Sequence, residues 1–150
     1  MLLRPLIRLA LALALMLIAV PAWSQTLGAR VGASVDPDQF YLGLHTESDP
    51  LVDRLRFRPN AEIGVGNDAT VVALNLEFAY HFPSRSLWAL YAGAGPALNI
   101  VDVNDDTRAE GGFNIMIGTE HRDGLFFEVK VGALDSPEFK IGVGYVFQRR

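Results

Sequence analysis

From residue 25 onward, apolar residues recur at every second position with few interruptions. A period of two is typical of β-strands, whose successive side chains point to opposite faces. No stretch shows the sustained i, i+3, i+4, i+7 spacing of an amphipathic helix. The pattern predicts an all-β fold with eight strands, at about residues 26–35, 39–47, 54–66, 70–82, 87–101, 109–121, 124–134 and 138–148.

The acidic residues divide between gaps and strands. All ten aspartates fall in or beside the gaps between predicted strands, where Asp bonds its local backbone. Five glutamates instead lie within strands: Glu62, Glu77, Glu110, Glu120 and Glu128. One face of the strands therefore requires charge.

Two hairpins have a register that the sequence predicts. A two-residue loop at 67–68 makes the apolar faces of its strands coincide and places Arg58 opposite Glu77. A three-residue loop at 122–124, with Gly124 in the left-handed conformation, makes the apolar faces of the sixth and seventh strands coincide. We therefore expect consecutive strands to pair antiparallel.

Loops and prolines refine this prediction. The loops that follow the odd-numbered strands are short, near 36–38, 67–68, 102–108 and 135–137. Pro59 and Pro96 lie inside strands and each removes a donor from the ladder, so bulges or bends are expected there.

The two faces of the strands differ in composition. One carries large apolar residues, among them Leu27, Val31, Val35, Leu74, Leu76, Phe78, Tyr80, Ile141, Val143, Tyr145 and Phe147. The other is small and charged, with many glycines. Glycine in a strand interior weakens the sheet unless a neighbouring group needs the space beside it. The lumen of an eight-stranded barrel creates that need, because it is just wide enough for side chains to fill. The faces predict an up-and-down transmembrane barrel with lipid outside and a packed polar lumen inside.

The charged residues of the inner face form the candidate site of this chain. They are Arg30, Arg56, Arg58, Glu62, Glu77, Glu128, Lys130 and Lys140. Buried charges are costly unless they are paired. We expect a salt-bridged interior that closes the lumen, with Arg58 and Glu77 as one pair. A gated ion path through the same charges is the alternative.

The first 24 residues differ from the rest. They hold two arginines, an apolar run over 9–20, and then Pro21 and a Trp23 flanked by the small residues Ala22 and Ser24, the pattern of a secretory signal peptide. A membrane anchor is the alternative, but a twelve-residue helix is only about 18 Å long, too short to cross the hydrocarbon. We predict cleavage after Ser24 and a barrel domain over 25–150.

Charge and cysteine content exclude several classes of function. The net charge is -4, which offers no broad basic surface for nucleic acid. The chain has no cysteine, so disulfides, a thiol nucleophile and cysteine-ligated zinc are excluded.

The alternating strands, the Tyr-Ala-Gly-Ala-Gly-Pro stretch at 91–96 and the closing strand at 140–147 together resemble the bacterial outer-membrane β-barrels of the small OmpA-like and OmpX-like group. The resemblance implies a cell outer membrane location, with contact to membrane lipid and lipopolysaccharide. It also implies insertion by the outer-membrane assembly machinery, which recognises alternating apolar residues in the last strand, here Ile141, Val143, Tyr145 and Phe147.

No catalytic, cofactor or metal site is predicted. We interpret His45, His81 and His121 as residues at strand borders, and the acidic stretch at 102–106 as a solvated loop that lacks the spacing of a calcium loop. The sequence thus favours a non-enzymatic barrel that contributes to envelope integrity. Two alternatives stay open: a soluble periplasmic lipocalin-like carrier with the apolar face lining its cavity, and a lipid A-modifying barrel enzyme.

Overall fold

The computed structural model describes Arg8 and residues 24–66 and 69–147. Apart from Arg8 and Ser24, the predicted signal peptide lies outside the described residues. The strands are β1 (Ser24–Val35), β2 (Gln39–Ser48), β3 (Leu55–Val65), β4 (Thr70–His81), β5 (Trp88–Val103), β6 (Asp106–His121), β7 (Leu125–Leu134) and β8 (Phe139–Val146). These bounds lie close to the predicted ones.

The eight strands form one closed barrel. Each strand pairs antiparallel with the next, and β8 returns to pair with β1. Closure leaves no unpaired sheet edge. The predicted eight-stranded antiparallel up-and-down barrel is confirmed.

Within the described residues, no helix is both long enough and apolar enough to cross a membrane.

Both predicted hairpin registers are present. Arg58 lies opposite Glu77 in the β3–β4 pair, and Val129 lies opposite Ile117 in the β6–β7 pair. The second hairpin turns through Gly124, whose φ of 114° belongs to the left-handed region that glycine tolerates. The turn residues 67 and 68 of the first hairpin lie outside the described residues.

The β5–β6 hairpin differs from its prediction. The expected loop over 102–108 is wrong, because pairing continues out to Val103 and Asp106. Only Asn104 and Asp105 form the turn, with φ values of 51° and 66°. Positive φ at both central residues gives the tight turn that matches strand twist, and Asn and Asp tolerate it better than other side chains. The strands therefore extend further than their composition indicates.

The two prolines interrupt pairing without adding a residue. Pairing of β2 with β3 ends at His45 and Asn60, just before Pro59. Between β4 and β5 the ladder is interrupted beside Pro96 and resumes in the same register. Bulges or bends were expected; the described pairing shows interruptions at these two positions and no change of register between β4 and β5, because a missing N–H removes one bond but inserts no residue. The irregularity in the β1–β2 register lies between Ser24 and Thr26.

The apolar face of the strands points outward. Leu76, Ile117 and Ile141 are each about half exposed, at 50%, 51% and 52%. Arg58 and Glu77 are fully buried on the opposite face. The described residues thus form a barrel with an apolar exterior and a polar interior.

Glycines of the inner face make room for large side chains of neighbouring strands. A Cβ atom on Gly118 would lie 2.3 Å from the ring of Tyr91, and one on Gly144 would lie 2.3 Å from the ring of Phe126. Both distances are below any real contact. The alternation of glycine with bulky residues is therefore a packing requirement of a narrow lumen.

We expect Gly118→Ala to lower the free energy of unfolding by about 1–3 kcal/mol, the usual cost of overpacking an ordered interior. Gly111→Ala in the same strand is the matched control, since a Cβ there meets nothing within 4 Å. Urea titration of the barrel in detergent micelles measures both. Equal effects of the two substitutions would contradict the packing interpretation.

Candidate functional site: the charged barrel interior

The charged residues predicted for the inner face point into the barrel. Seven are buried in the lumen: Arg30, Arg58, Glu62, Glu77, Glu128, Lys130 and Lys140. The eighth, Arg56, is half-buried at the mouth of the lumen, on the side where the chain begins and ends. The structure thus brings the seven together and sets Arg56 at their edge.

Glu128 on β7 is the centre of one cluster. It accepts hydrogen bonds from Arg30 Nη1 at 2.5 Å, Arg58 Nη1 at 3.2 Å and Tyr91 Oη at 2.9 Å. These donors come from β1, β3 and β5. In a ring of eight strands β3 lies opposite β7, so the bond from Arg58 to Glu128 runs across the lumen.

Lys130, two residues further along β7, is the centre of a second cluster. Its Nζ donates to Glu77 Oε1 at 2.7 Å and to Glu62 Oε1 at 3.3 Å. Lys140 on β8 donates to the other oxygen of Glu62 at 2.5 Å. The two clusters are linked, because Arg30 Nη1 also lies 3.9 Å from Glu62.

The expected direct pair of Arg58 with Glu77 is replaced by longer connections. The two residues are neighbours across the β3–β4 ladder, but Arg58 binds Glu128 and Glu77 binds Lys130. Their side chains project side by side into the same narrow lumen, where the oppositely charged groups of β7 face them. Register predicts which residues are adjacent, and the curvature of the closed sheet decides which ones bond.

Asparagines continue the network around the wall. Asn114 Nδ2 donates to Asn75 Oδ1 at 2.9 Å, Asn75 Nδ2 to Asn60 Oδ1 at 2.7 Å, and Asn60 Nδ2 to Glu77 Oε2 at 2.8 Å. This chain joins β6, β4 and β3. Paired amides satisfy one another where water is excluded.

Aromatic rings complete the interior. The guanidinium carbon of Arg58 lies 4.8 Å from the ring centre of Tyr91 and 5.0 Å from that of Phe126. Such cation–π contacts strengthen when both partners are desolvated. Neither ring was predicted to lie in the lumen, although each lies an even number of residues from a lumen residue of its own strand.

His45 was also misplaced. It is not at a strand border but buried inside β2, with Nε2 3.4 Å from Arg58 Nη2 and its ring 5.4 Å from that of Phe126. The alternation of β2 indicates an inward position for His45, because this residue lies two residues from the inward-facing Gly43.

The mouth of the lumen holds a further group that sequence analysis did not predict. Glu47 accepts from His81 Nε2 at 3.1 Å and lies 3.5 Å from Arg56 Nη1. Ser84 and Ser86 line the same cavity. Their hydroxyls bond to the first residue of β5, Ser84 to the carbonyl oxygen of Trp88 and Ser86 to its N–H.

The remaining candidates stay apart from this network. His121 lies 3.3 Å from Asp123 on the β6–β7 turn. The acidic stretch at 102–106 occupies the ends of β5 and β6 and their turn. In the described part of the chain, no three His, Asp or Glu side chains are placed to hold a metal ion.

No protein-family model matches the chain, and no curated protein sequence matches it significantly. Solved structures do match it, and the following three are among them. Neisserial surface protein A (NspA) aligns with a TM-score of 0.63 and 12% identity over 83% of this chain and 95% of its own. The N-terminal β-barrel domain of Pseudomonas aeruginosa OprF aligns with a TM-score of 0.57 and 17% identity over 83% of this chain and 98% of its own.

The third structure is the outer membrane enzyme PagL, with a TM-score of 0.54 and 14% identity over 83% of this chain and 99% of its own. At these identities the likeness concerns the fold. The chain has the closed eight-stranded barrel fold that outer-membrane proteins use.

Proposed function

We propose that this protein is a small integral outer-membrane barrel that contributes to envelope integrity, with its lumen closed by the interior ion pairs. One observation carries the proposal: an apolar exterior surrounds charged side chains that bond across the lumen. The exterior suits acyl chains, and the interior leaves the barrel without an open pore.

The dimensions of the barrel support a membrane location. An eleven-residue strand such as β3, tilted by about 40° from the barrel axis, rises roughly 28 Å along that axis, against an apolar band about 25 Å tall in membrane barrels. Exposed aromatics near strand ends, including Phe40, Trp88 and Tyr145, suit the interfacial girdles of such barrels. Export follows from the predicted signal peptide, and recognition by the assembly machinery from the outward residues of β8.

Closure of the lumen is supported by burial and by the direction of the bonds. Arg58, Glu77 and Lys130 expose 1% or less of their surface, and the bonds of Arg58 and Lys130 join β3 to the opposite strand β7. Eight strands leave room for side chains but not for a continuous water channel. Lipid contact and mechanical closure are therefore the roles that this geometry supports.

The alternatives have less support. A lipocalin-like carrier needs an apolar cavity on the axis, whereas the described lumen is lined by charged and amide side chains. A lipid A-modifying enzyme needs a serine or other nucleophile beside a base, whereas Ser84 and Ser86 bond to backbone atoms of Trp88 at the start of β5.

Cells of the source bacterium that lack this protein should admit more of a dye normally excluded by the outer membrane, and the wild-type gene should restore exclusion. The purified barrel, reconstituted in planar bilayers, should show no stable conductance steps. A gel shift between unheated and boiled samples verifies that the reconstituted barrel is folded. Unchanged dye uptake on deletion would refute the envelope role, and large stable steps would refute the closed lumen.

A further inference from the structure

The mouth of the lumen on the side of the chain termini is an open polar cavity of about 380 Å³. This volume is within the range of small-ligand sites, about 300–1,000 Å³. The cavity lies between the ends of β2, β4 and β6 and the starts of β3 and β5. The interior ion pairs lie deeper along the axis, and they connect to the cavity where Arg58 Nε lies 3.9 Å from Glu47.

Arginines dominate the charge of this cavity. Arg54, Arg56 and Arg122 line it, against the carboxylates of Glu47 and Glu120. The carboxylate of Glu47 is shared by His81, Arg56 and Arg58, which reduces its repulsion of an anion. The lining thus has one more arginine than carboxylates.

The lumen beneath adds to the positive potential. Its four cations, Arg30, Arg58, Lys130 and Lys140, face three carboxylates, those of Glu62, Glu77 and Glu128. A cleft between low-dielectric walls concentrates the field of such an excess and raises the local concentration of counter-ions. The cavity and the lumen beneath it together hold seven Arg and Lys side chains against five carboxylates, an excess that favours the entry of an anion.

The arginine-bearing segments are held in place. The carbonyl oxygen of Arg54 accepts from His81 N at 3.1 Å, and Arg122 N donates to the carbonyl oxygen of Leu87 at 2.9 Å. Both segments are thereby fixed to the ends of the β4–β5 connection, which also carries Ser84 and Ser86. An ordered backbone at both positions lowers the conformational freedom that these segments lose when a ligand binds.

We propose that this cavity binds a phosphate group. Guanidinium groups match the oxygens of a phosphate with paired charge-assisted hydrogen bonds, and three arginines around one space suit a group with several oxygens. The source of the phosphate is a soluble phosphate ester or a lipid headgroup. Phe82 and Leu87 edge the cavity and are exposed, which provides an apolar contact for a lipid chain. The proposal needs the barrel fold but neither the membrane location nor the closed lumen.

The test uses the barrel folded in dodecyl maltoside micelles, without phosphate buffer, and follows backbone amide shifts by NMR. One arm titrates glycerol 3-phosphate, and the other dopes the micelles with phosphatidylglycerol. We expect saturable shifts centred on residues 84–86 and 122 in at least one arm. Saturable shifts with glycerol 3-phosphate would show that a soluble phosphate ester is sufficient for binding. Saturable shifts with phosphatidylglycerol but not with glycerol 3-phosphate would show that the ligand is a lipid headgroup.

The double variant Arg54→Gln with Arg122→Gln should raise the dissociation constant by at least about tenfold, since two charge-assisted contacts are lost. Arg108→Gln, at the opposite end of the barrel, is the matched control and should leave it unchanged. No saturable shift in either arm, or equal affinity in the double variant, would overturn the proposal. Neither result would bear on the dye-exclusion or conductance measurements.

Discussion

Glu128→Gln should lower the free energy of unfolding by about 3–5 kcal/mol, the usual cost of breaking a buried ion pair by removing one partner. The amide keeps the shape of the carboxylate but not its charge. Arg30 and Arg58 would then remain in the lumen without the anion that both contact. Urea titration of the folded barrel in micelles, followed by tryptophan fluorescence, measures the difference.

Glu110→Gln is the control for Glu128. Glu110 pairs with Arg108 at 3.7 Å near the end of the barrel, where both side chains are solvent-accessible. Exposed pairs contribute about 0–1 kcal/mol, so little change is expected. If Glu128→Gln were as mild as Glu110→Gln, the interior charges would not be as desolvated as their burial indicates.

Ile117→Arg should destabilise the barrel in lipid vesicles by about 2–4 kcal/mol, as cations do on the lipid face of a membrane barrel near the bilayer midplane. Ile117 points outward with half its surface exposed, and its neighbours Val129 and Ile141 lie near the middle of β7 and β8. In a soluble barrel the same substitution would add a charge to a wet surface at little cost. The measurement is the free energy of unfolding in vesicles.

Depth distinguishes the lipid effect from a general cost of the substitution. Val35 ends β1 on the same outward face and is 53% exposed, so Val35→Arg should cost only about 0–1 kcal/mol, the value near an interface. Equal costs at residues 117 and 35 would count against a bilayer around the strands.

The alternation of side chains predicts most of the fold because each strand of a barrel has only two environments. It places Arg58 and Glu77 inside and Ile117 outside without any knowledge of tertiary structure. The alternation does not identify Tyr91 and Phe126 as lumen residues, because an apolar side chain on the inner face has the same composition signal as one on the apolar exterior. Only the position of each ring within its strand distinguishes the two.

Ion-pair partners are less predictable than faces. Adjacent strands predict that Arg58 and Glu77 are neighbours, but the partner of Arg58 is on β7, four strands away in the ring. Which charges meet across a lumen depends on the stagger of the closed sheet, to which every hairpin contributes. The mouth cavity is unpredictable for a related reason, since Glu47 and His81 lie at the ends of β2 and β4 and Arg122 lies in the β6–β7 turn.

The bonds across the lumen also affect how the barrel assembles. Arg30 and Glu128 are 98 residues apart in sequence, Lys140 and Glu62 are 78 apart, and Arg58 and Glu128 are 70 apart. Contacts of such long range form late in folding, after the local hairpins. Interactions that form after the rate-limiting step slow the return to the unfolded chain without speeding folding. We therefore expect the central charges to slow the opening of the barrel after β1 and β8 have paired.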